Sequence, residues 1–269
     1  MTAQPDPGAW LSCYSGGRFY PFAPRVQDVR LVDLAHHLAT STRWLGALHT
    51  PLSIAQHSVN VGAMARALAP SAVVGAMAEL AGLVHDTGEA YVGDMPRPIK
   101  RAFPAFVLAE NRALAVVLEA LGIAELRGSS AWALALQCDR ALLATEARDN
   151  LGPRSFADHQ ADDHPGSAGW VTLLDDPDWS LVNGDDHPAP LPTTEDWWIA
   201  RRSWLGAMAR VVLELGLEIP APALVRLNGP GCPSWPAQVA RPLQSWPADY
   251  CHACGRELAD ARPPCDHCG

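Results

Sequence analysis

The sequence lacks the features that would place it in a membrane or send it out of the cell. No run of about 18 apolar residues is free of polar interruptions, so no transmembrane helix is predicted. Residues 1–7 contain neither a basic stretch nor an apolar one, so no secretory signal is indicated. We therefore expect a cytoplasmic protein with no membrane partner.

Positive charge is scarce, and regular strand patterns are missing. Lys and Arg number 20 against 29 Asp and Glu, which gives a formal net charge of −9. This sign argues against a general nucleic-acid-binding surface, although it leaves room for a local basic groove. No series of strands and turns and no solenoid period is visible. Because 48% of the residues are apolar and 18% are charged, most of the chain should fold.

Helical patterns dominate the part of the chain that should fold. Ser53 and Gln56 resemble a capping box, which opens a helix with His57 in its first turn. The next helix is nearly all apolar, which is typical of a buried central helix. Helices are predicted over residues 33–42, 53–68, 72–91, 105–121, 131–150 and 197–215. We therefore predict an all-α helical bundle.

Composition divides the chain into three parts. Residues 1–218 should form the main domain, which includes a long loop at 151–194 that is rich in Pro and Asp. Residues 219–249 form a Pro-rich linker, and residues 250–269 a small separate module. The first 30 residues should form an extended arm or a short hairpin. This arm is either a strap packed by its aromatic side chains or a segment whose Arg18 reaches a substrate phosphate.

A metal site is suggested by one stretch near the end of the apolar helix. His85 and Asp86 are adjacent there, and they could converge on one ion only near a helix end, where Gly88 loosens the geometry. His57 and Asp139 come from other helices and could complete the ligand set. Histidine and carboxylate together suit a divalent ion such as Mn, Co, Fe, Ni or Zn.

Charged and aromatic residues near this stretch are candidates for catalysis and for substrate binding. Glu89 is an acid or base one turn after His85, and Asp94 follows in the next turn. Arg43 and Lys100 could clamp a phosphate, while Trp44 could contact a sugar or base. Taken singly, His57 is more typical of a structural histidine and Glu89 of a solvated charge at a helix end. Arg43 and Lys100 are each more typical of surface ion pairs, and only the joint pattern favours a site. Asp139 differs, because a lone carboxylate in an apolar helix would be costly.

The order His…His-Asp…Asp, each part on its own helix, resembles the HD-domain metal-dependent phosphohydrolases. Residues 85–100 are similar to the His-Asp-x-x-Glu-x-x-x-Gly-Asp-x-x-x-Pro-x-Lys stretch of the 5′-deoxynucleotidase branch. Arg43-Trp44, followed by His57 within residues 56–58, resembles that branch's Arg-Trp…Glu-His-Ser, with Gln56 in place of its Glu. Residues 15–19 and 54–58 also resemble phage and bacterial HD hydrolases, some of which cleave deoxynucleoside triphosphates. The resemblance covers residues 12–150.

This resemblance implies an all-α bundle that forms a homo-oligomer, a dimer or larger. It implies hydrolysis of deoxynucleotides with a divalent metal, with Glu89 as the acid/base and Asp94 assisting at the leaving group. Arg43 would bind phosphate and Trp44 the sugar. The metal ligands implied by the family pattern are His57, His85, Asp86 and Asp139.

The C-terminal module carries two Cys-x-x-Cys pairs. Their spacing is Cys-x₂-Cys-x₁₀-Cys-x₂-Cys, which is typical of one tetrahedral structural zinc ion in a reducing compartment. The metal would fold a segment that is too small to fold alone, and the module would either dock a partner or simply close the chain. The predicted zinc ligands are Cys251, Cys254, Cys265 and Cys268.

Three functional hypotheses stay open at this point. The first is a nucleotide phosphohydrolase that releases orthophosphate, and the second is a triphosphohydrolase that releases tripolyphosphate, with Arg18 and Arg97 as extra phosphate ligands. The third is a catalytically silent HD protein that senses a nucleotide and contacts a partner through its zinc module. The intact ligand set and Glu89 favour an enzyme.

Overall fold

The chain is mostly helical in the residues that the computed structural model describes, 6–150 and 196–224, which confirms an all-α core. A short hairpin precedes the helices, in which β1 (Leu11–Ser12) pairs antiparallel with β2 (Arg18–Phe19). The helices are α1 (Leu31–Thr40), α2 (Ile54–Leu68), α3 (Ala72–Val84), α4 (Glu89–Val92), α5 (Arg97–Lys100), α6 (Pro104–Ala120), α7 (Ser130–Asn150), α8 (Trp197–Glu214) and α9 (Ala221–Leu224). Short 3₁₀ turns lie at Val26–Asp28, Arg43–Gly46 and Ala124–Leu126.

Local signals set the ends of several helices. The Ser53 hydroxyl accepts a hydrogen bond from the Gln56 amide at 3.1 Å, and Ser71 does the same for Val74 at 3.4 Å, so both predicted N-caps are present. Gly122 follows α6 with a φ of +71°, a conformation that glycine adopts without the penalty of a Cβ atom. These ends match the predicted helices to within about two residues.

The prediction was wrong about the length of the central helix. A continuous helix was expected over residues 72–91, but α3 ends at Val84 and a separate short helix, α4, begins at Glu89. The Thr87 hydroxyl donates to the Val84 carbonyl at 2.7 Å, which replaces a helical hydrogen bond at this point. The break places His85 and Asp86 in a turn, not along a helix face.

The core forms around α2 and α3, which pack on each other and are covered by α1, α7 and α8. Each of these helices contributes buried apolar side chains, and burial of apolar surface at roughly 25 cal/mol per Å² is the main stabilising term. Trp204 of α8 is fully buried and donates its indole N–H to the Leu83 carbonyl at 2.9 Å. Core members include Leu34, Leu38, Ile54, Val61, Leu80, Leu83, Cys138, Trp204 and Met208.

The N-terminal arm is a strap that packs through its aromatic and polar side chains. Phe19 is fully buried and stacks on Tyr91 with ring centroids 3.7 Å apart. Asp33 in α1 accepts hydrogen bonds from both the amide and the hydroxyl of Ser15. His37 connects the arm to α4, since its Nδ1 donates to the Ala90 carbonyl at 2.8 Å. The arm therefore supports the segment that follows the candidate ligands.

Some predictions fall on parts of the chain that the structure does not describe. The predicted loop at 151–194, most of the linker at 219–249 and the cysteine module at 250–269 lie outside the described residues. The first residues of the predicted linker contain α9, whose Ala223 is buried against the core. Among the described helices, none combines the length and the apolar character that a bilayer crossing requires.

Candidate metal centre

A close crossing of α2 and α3 brings the two candidate histidines together. A Cβ atom on Gly82 would lie 2.5 Å from the Gly62 nitrogen, and one on Gly62 would lie 2.9 Å from the Glu79 carbonyl oxygen. Only glycine therefore allows the two backbones to approach this closely. His57 lies five residues before Gly62 and His85 three residues after Gly82, so their rings face each other with centroids 5.4 Å apart.

Three side chains donate hydrogen bonds to the carbonyl groups at the C-terminal end of α3. A helix leaves its last carbonyl groups without helical partners. Here the Gly82 carbonyl accepts a hydrogen bond from His85 Nδ1 at 2.8 Å, and the Leu83 carbonyl accepts from the Trp204 indole. The Thr87 hydroxyl donates a hydrogen bond to the Val84 carbonyl. Because the helix stops there, His85 and the residue after it are free to converge.

Gly88 is required by a second close approach. A Cβ atom at this position would lie 2.7 Å from the Glu110 carbonyl oxygen of α6, a contact that no L side chain tolerates. The glycine therefore lets α6 pack directly against the turn between α3 and α4. The sequence indicated Gly88 as a point of loosened geometry, and the structure gives it a packing reason.

The four predicted metal ligands meet at one place, in a group that could hold a metal ion. One ligand atom from each of them lies within 4.8 Å of all the others. His57 Nε2 lies 3.1 Å from Asp139 Oδ1, and His85 Nε2 lies 3.1 Å from Asp86 Oδ2. The crossed distances, His57 to Asp86 and His85 to Asp139, are 3.7 and 3.8 Å. We call His57, His85, Asp86 and Asp139 the metal cluster.

These spacings fit a divalent transition ion. With metal–ligand bonds of about 2.1 Å, neighbouring ligand atoms in an octahedral shell lie about 3.0 Å apart and opposite ones about 4.2 Å. The four nitrogen-to-oxygen distances given above fall within this range. A mixed nitrogen and oxygen ligand set suits Mn, Fe, Co, Ni or Zn better than Ca or Mg, which prefer oxygen alone.

The histidines present unpaired nitrogen atoms to the cluster. Each ring donates its Nδ1–H outward, His57 to Glu146 Oε1 at 2.5 Å and His85 to the Gly82 carbonyl at 2.8 Å. Their Nε2 atoms are buried and make no hydrogen bond with any described residue. In the neutral ring, Nε2 then carries a lone pair that faces a carboxylate, which is unfavourable unless a cation lies between them. The donor set therefore fits a bound metal.

The charge around the cluster is not balanced within the part of the chain that the structure describes. Asp86, Asp139 and Glu146 are carboxylates, and Arg43 is the cation that pairs with two of them. Burial would raise the pKa of Asp86, but His85 outweighs it and holds the pKa at about 2. Burial would likewise raise the pKa of Glu146, but the Arg43 guanidinium lowers it, and the pKa is about 2. With neutral histidines, three negative charges face one positive charge, and a divalent ion would supply the missing two.

Without a metal, protons would take its place. Burial alone would lower the pKa of His85, but Asp86 and Asp139 raise it well above its usual value. For His57, burial and Arg43 lower the pKa, and Glu146 and Asp139 overcome both to raise it. A metal ion must therefore compete with protons for the two Nε2 atoms.

Glu89 is a buried carboxyl group beside the cluster. Its Oε1 accepts a hydrogen bond from Lys100 at 2.8 Å, while its Oε2 is buried and makes no hydrogen bond with any described residue. Burial, together with the charges of Asp86 and Asp94, raises its pKa well above the usual value. A carboxyl group in this state can carry a proton near neutral pH and release it, as a general acid/base must.

Lys100 does not extend freely toward the cluster. Its Nζ lies between two carboxylates, 2.8 Å from Glu89 Oε1 and 2.9 Å from Glu110 Oε1. Burial would lower the pKa of Lys100, but Glu89 and Glu110 raise it, so the ammonium group stays charged. The structure therefore places Lys100 beside the candidate acid/base, in addition to its predicted role with phosphate.

Asp94 follows α4 and interacts electrostatically with the cluster. Gly93, which ends α4, has a φ of +85°, a conformation that favours glycine. Burial raises the pKa of Asp94 against the opposing charge of Arg43, and Asp86 adds to the increase. Asp94 thus shares the electrostatic field of the cluster, as its predicted role near the leaving group requires.

Arg43 and Trp44 lie on the other side of the cluster, in a strained turn. Arg43 is buried, and its Nη1 donates to Asp86 Oδ2 at 3.3 Å while its Nε donates to Glu146 Oε2 at 3.2 Å. The Trp44 indole donates to the same Glu146 oxygen at 3.0 Å. Trp44 and Leu45 have φ values of 61° and 51°, a region that side chains other than glycine rarely adopt. Such strain is often found where a site is held in place.

Two relatives resemble a large part of this chain. The uncharacterised protein YfdR of Escherichia coli is 30% identical over 141 residues, which are 52% of this chain and 72% of YfdR. The chain belongs to the YfdR family. The uncharacterised protein RCAP_rcc00048 of Rhodobacter capsulatus is 34% identical over 112 residues, 40% of this chain and 56% of that protein. No protein-family model matches the chain.

The remaining predicted residues of this YfdR-family chain lie elsewhere. Arg18 packs its guanidinium over the Trp10 ring, 4.4 Å from the ring centroid, in the exposed part of the arm. Its contact with a substrate phosphate stays a prediction. The zinc ligands Cys251, Cys254, Cys265 and Cys268 lie outside the described residues.

Two functional residues of the YfdR-family chain were missed from the sequence. Glu146 lies seven residues after Asp139, two turns along α7, and this i, i+7 spacing was the signal that could have indicated it. Glu110 lies in α6 ten residues after Lys100. From the sequence alone, each of these two glutamates resembles a solvated charge on a helix. The partner that shows otherwise is distant in sequence or lies across a turn.

Proposed function

We propose that this chain is an HD-type, metal-dependent phosphohydrolase that removes phosphate from deoxynucleotides. The observation that carries the proposal is a buried cluster of two histidines and two aspartates that lacks two positive charges, with the Oε2 atom of Glu89 unpaired beside it. The order of these residues in the sequence supports the HD assignment, and the stretch 85–100 supports the 5′-deoxynucleotidase branch.

The residues of the candidate site then each have a role in the proposed reaction. A bound divalent ion would supply Lewis acidity, which lowers the pKa of water and withdraws charge from a phosphoryl group. Glu89 accepts the proton from the attacking water and returns it to the leaving oxygen. Lys100 holds Glu89 in place through Oε1, so that Oε2 stays available. Asp94 assists on the side of the leaving group.

Arg43 and Trp44 provide the substrate side of the site. Arg43 is anchored through Nε and Nη1, which leaves its charge beside the cluster, where it attracts a phosphate oxygen. Trp44 is exposed in part and offers a ring face to the sugar or base. The described cations near the cluster are each paired with carboxylates, which favours a substrate with few phosphate charges.

The test is a turnover panel with defined metals. The protein is stripped with a chelator, reloaded with Mn, Co, Fe, Ni or Zn, and offered deoxy- and ribonucleoside mono- and triphosphates. Separation of orthophosphate, pyrophosphate and tripolyphosphate identifies the bond that is cleaved. Orthophosphate from monophosphates supports a nucleotidase, and tripolyphosphate with free nucleoside supports a triphosphohydrolase.

A variant separates chemistry from metal binding. Glu89→Gln should keep the bound metal and lose turnover by at least about 100-fold, since general acid–base catalysis typically contributes 10²–10⁴-fold. The exposed Glu119 of α6 offers a matched control, and Glu119→Gln should turn over as wild type does. Tight nucleotide binding without any product, with every metal, would reject hydrolysis and favour the silent binding protein.

A further inference from the structure

The turn that carries Arg43 and Trp44 is held in a conformation that the chain would not choose by itself. Trp44 and Leu45 both have left-handed backbone angles, although neither is glycine, and Leu45 is 67% exposed. Exposed Leu45 gains nothing from packing that would offset this strain. Contacts from elsewhere must therefore hold the turn.

Glu146 supplies those contacts, and each of its two oxygens serves a different partner. Oε1 accepts a hydrogen bond from the metal-cluster residue His57, and Oε2 accepts from the side chains of Arg43 and Trp44. The residue is fully buried, and its carboxylate is surrounded by donors from three side chains. One carboxylate thus joins the cluster to the strained turn.

The end of α7 adds a backbone link to the same turn. The His49 amide donates to the Asn150 carbonyl at 2.9 Å, and the Asn150 side chain donates to the Glu146 carbonyl at 3.1 Å. On its other side, the turn is closed by the Arg43 amide, which donates to the Leu52 carbonyl at 2.8 Å. The loop from 43 to 52 is therefore attached to the last turn of α7, where Glu146 lies.

We propose that Glu146 is a positioning residue that couples metal binding at His57 to the order of the Arg43–Trp44 turn. The inference rests on the metal and substrate roles proposed above. A carboxylate on Nδ1 fixes the tautomer and orientation of a metal-binding histidine and raises its basicity. A metal on Nε2 would make the Nδ1–H of His57 a stronger donor and so strengthen its hydrogen bond to Glu146. The carboxylate would then be held more firmly, and with it the side chains of Arg43 and Trp44 that donate to it.

Two oxygen acceptors are needed for this task, which is why glutamine cannot perform it. In Glu146→Gln one of the two positions becomes an NH₂ group, which would face either the His57 N–H or the donors of Arg43 and Trp44. The substitution keeps the size of the side chain, so the fold should survive. Glu119→Gln on the exposed face of α6 is the matched control.

The first measurement is Mn²⁺ affinity by calorimetry on the full chain. Loss of a carboxylate partner behind a metal-binding histidine typically weakens the metal by about 10- to 100-fold, and the same loss is expected for Glu146→Gln. Glu119→Gln should bind as wild type does. Wild-type affinity in Glu146→Gln would overturn the proposal.

The second measurement is hydrogen exchange in peptides covering residues 42–49, with and without Mn²⁺. In wild type, the metal should slow exchange in this turn, and in Glu146→Gln exchange should be fast and independent of metal. Trp44→Phe removes one donor to Glu146 but leaves the His57 contact, so the turn should exchange faster while Mn²⁺ affinity falls less than in Glu146→Gln. A wild-type turn that does not respond to Mn²⁺ would reject the coupling.

The outcomes distinguish this inference from the proposed function. Coupling between metal and turn, without hydrolysis of any nucleotide, would keep the positioning role and reject the phosphohydrolase. Hydrolysis with no metal response in the turn would keep the enzyme and reject the coupling. If Glu146→Gln fails to fold, the wild-type exchange experiment and Trp44→Phe still decide.

Discussion

Two clusters of buried charge lie along the same pair of helices, α2 and α3, and they differ in one respect. At the end away from the metal cluster, Glu79 of α3 is 3% exposed and pairs with Arg66 and Arg210. Arg66 also pairs with Glu214 at 2.6 Å. We call these four residues the Glu79 network. Its two carboxylates face two guanidinium groups, so its charge is closed within the protein.

The negative charge of the metal cluster, in contrast, is not compensated by the described residues. Three carboxylates around it face one guanidinium, and two imidazole nitrogens have no hydrogen bond within the described part of the chain. A buried charge without compensation is costly, so a protein retains one only where something else binds or where function requires it. The Glu79 network holds helices together, whereas the metal cluster calls for a ligand from outside.

The largest contrast should appear when one residue of each cluster is removed. His85→Ala should abolish metal binding at this site and lower turnover by more than about 10³-fold, because it removes a ligand and exposes the others to mutual repulsion. Glu79→Gln, in the other cluster, should leave metal stoichiometry unchanged in the folded protein. Metal analysis and circular dichroism of both variants check this. Full metal occupancy in His85→Ala would contradict the assignment.

The crossing that both clusters share should be nearly as sensitive. Gly82→Ala places a Cβ atom against the backbone of Gly62, so the helices must separate; overpacking of this kind costs about 3 kcal/mol, and metal affinity should also fall. Gly75→Ala, where the nearest atoms lie 3.3 to 3.5 Å away, is the control that should fold normally. Chemical denaturation measures the first effect and calorimetry with Mn²⁺ the second. Equal stability of the two variants would contradict a crossing limited by glycine.

The closed network should matter for stability alone. Glu79→Gln leaves two guanidinium groups near a neutral amide, and loss of one partner from a buried pair costs roughly 3–5 kcal/mol. Arg210 is half exposed, which lowers the expectation to about 2 kcal/mol. Denaturant melts of the metal-free and metal-loaded protein should show the same loss. A loss that appears only with metal would mean that the two clusters are not independent.

The smallest expected effect is the pH dependence of the stability of the metal-free protein and of its metal affinity. The pKa values of His57 and His85 are raised in the metal-free fold, so their protonation stabilises it fully below an unfolded value of about 6.5. That stabilisation is lost as pH rises through the higher folded pKa. The melting temperature of the metal-free protein should therefore fall over this range, while metal affinity rises as the protons leave.

Proton release provides a direct check on that sign. Calorimetric titration with Mn²⁺ in two buffers of different ionisation enthalpy should show that protons are released near pH 7. Release should decrease at higher pH, where the imidazoles are already neutral. Binding without proton release at pH 6 would show that the histidines are not protonated in the metal-free fold.

The sequence alone predicted the elements that local chemistry determines. Ser53 and Ser71 cap their helices as expected, and the adjacent pair His85-Asp86 does lie at a helix end. The four residues of the metal cluster meet as the pattern indicated. These features follow from residues close in sequence, or from a spacing typical of a known constellation.

What the sequence could not indicate depends on contacts between distant residues. Glu146 and Arg43 are 103 residues apart, and the i, i+7 spacing from Asp139 does not by itself distinguish Glu146 from a solvated charge. The left-handed angles of Trp44 and Leu45 were equally hidden, because neither is a residue that favours them. Single glycines such as Gly62 and Gly82 weaken a helix when they are read locally, and only their partnership explains them.

The contact between Gly62 and Gly82 also bears on how the sequence of such a protein can diverge in evolution. Backbone atoms that touch set the distance between α2 and α3, so the spacing of His57 and His85 does not depend on which apolar side chains fill the surrounding core. Leu80 or Ile54 can be exchanged for another apolar residue of similar volume at a modest cost in stability. Drift in the core would thus leave the ligand spacing intact, and members of a family could diverge widely in sequence around an unchanged pair of imidazoles.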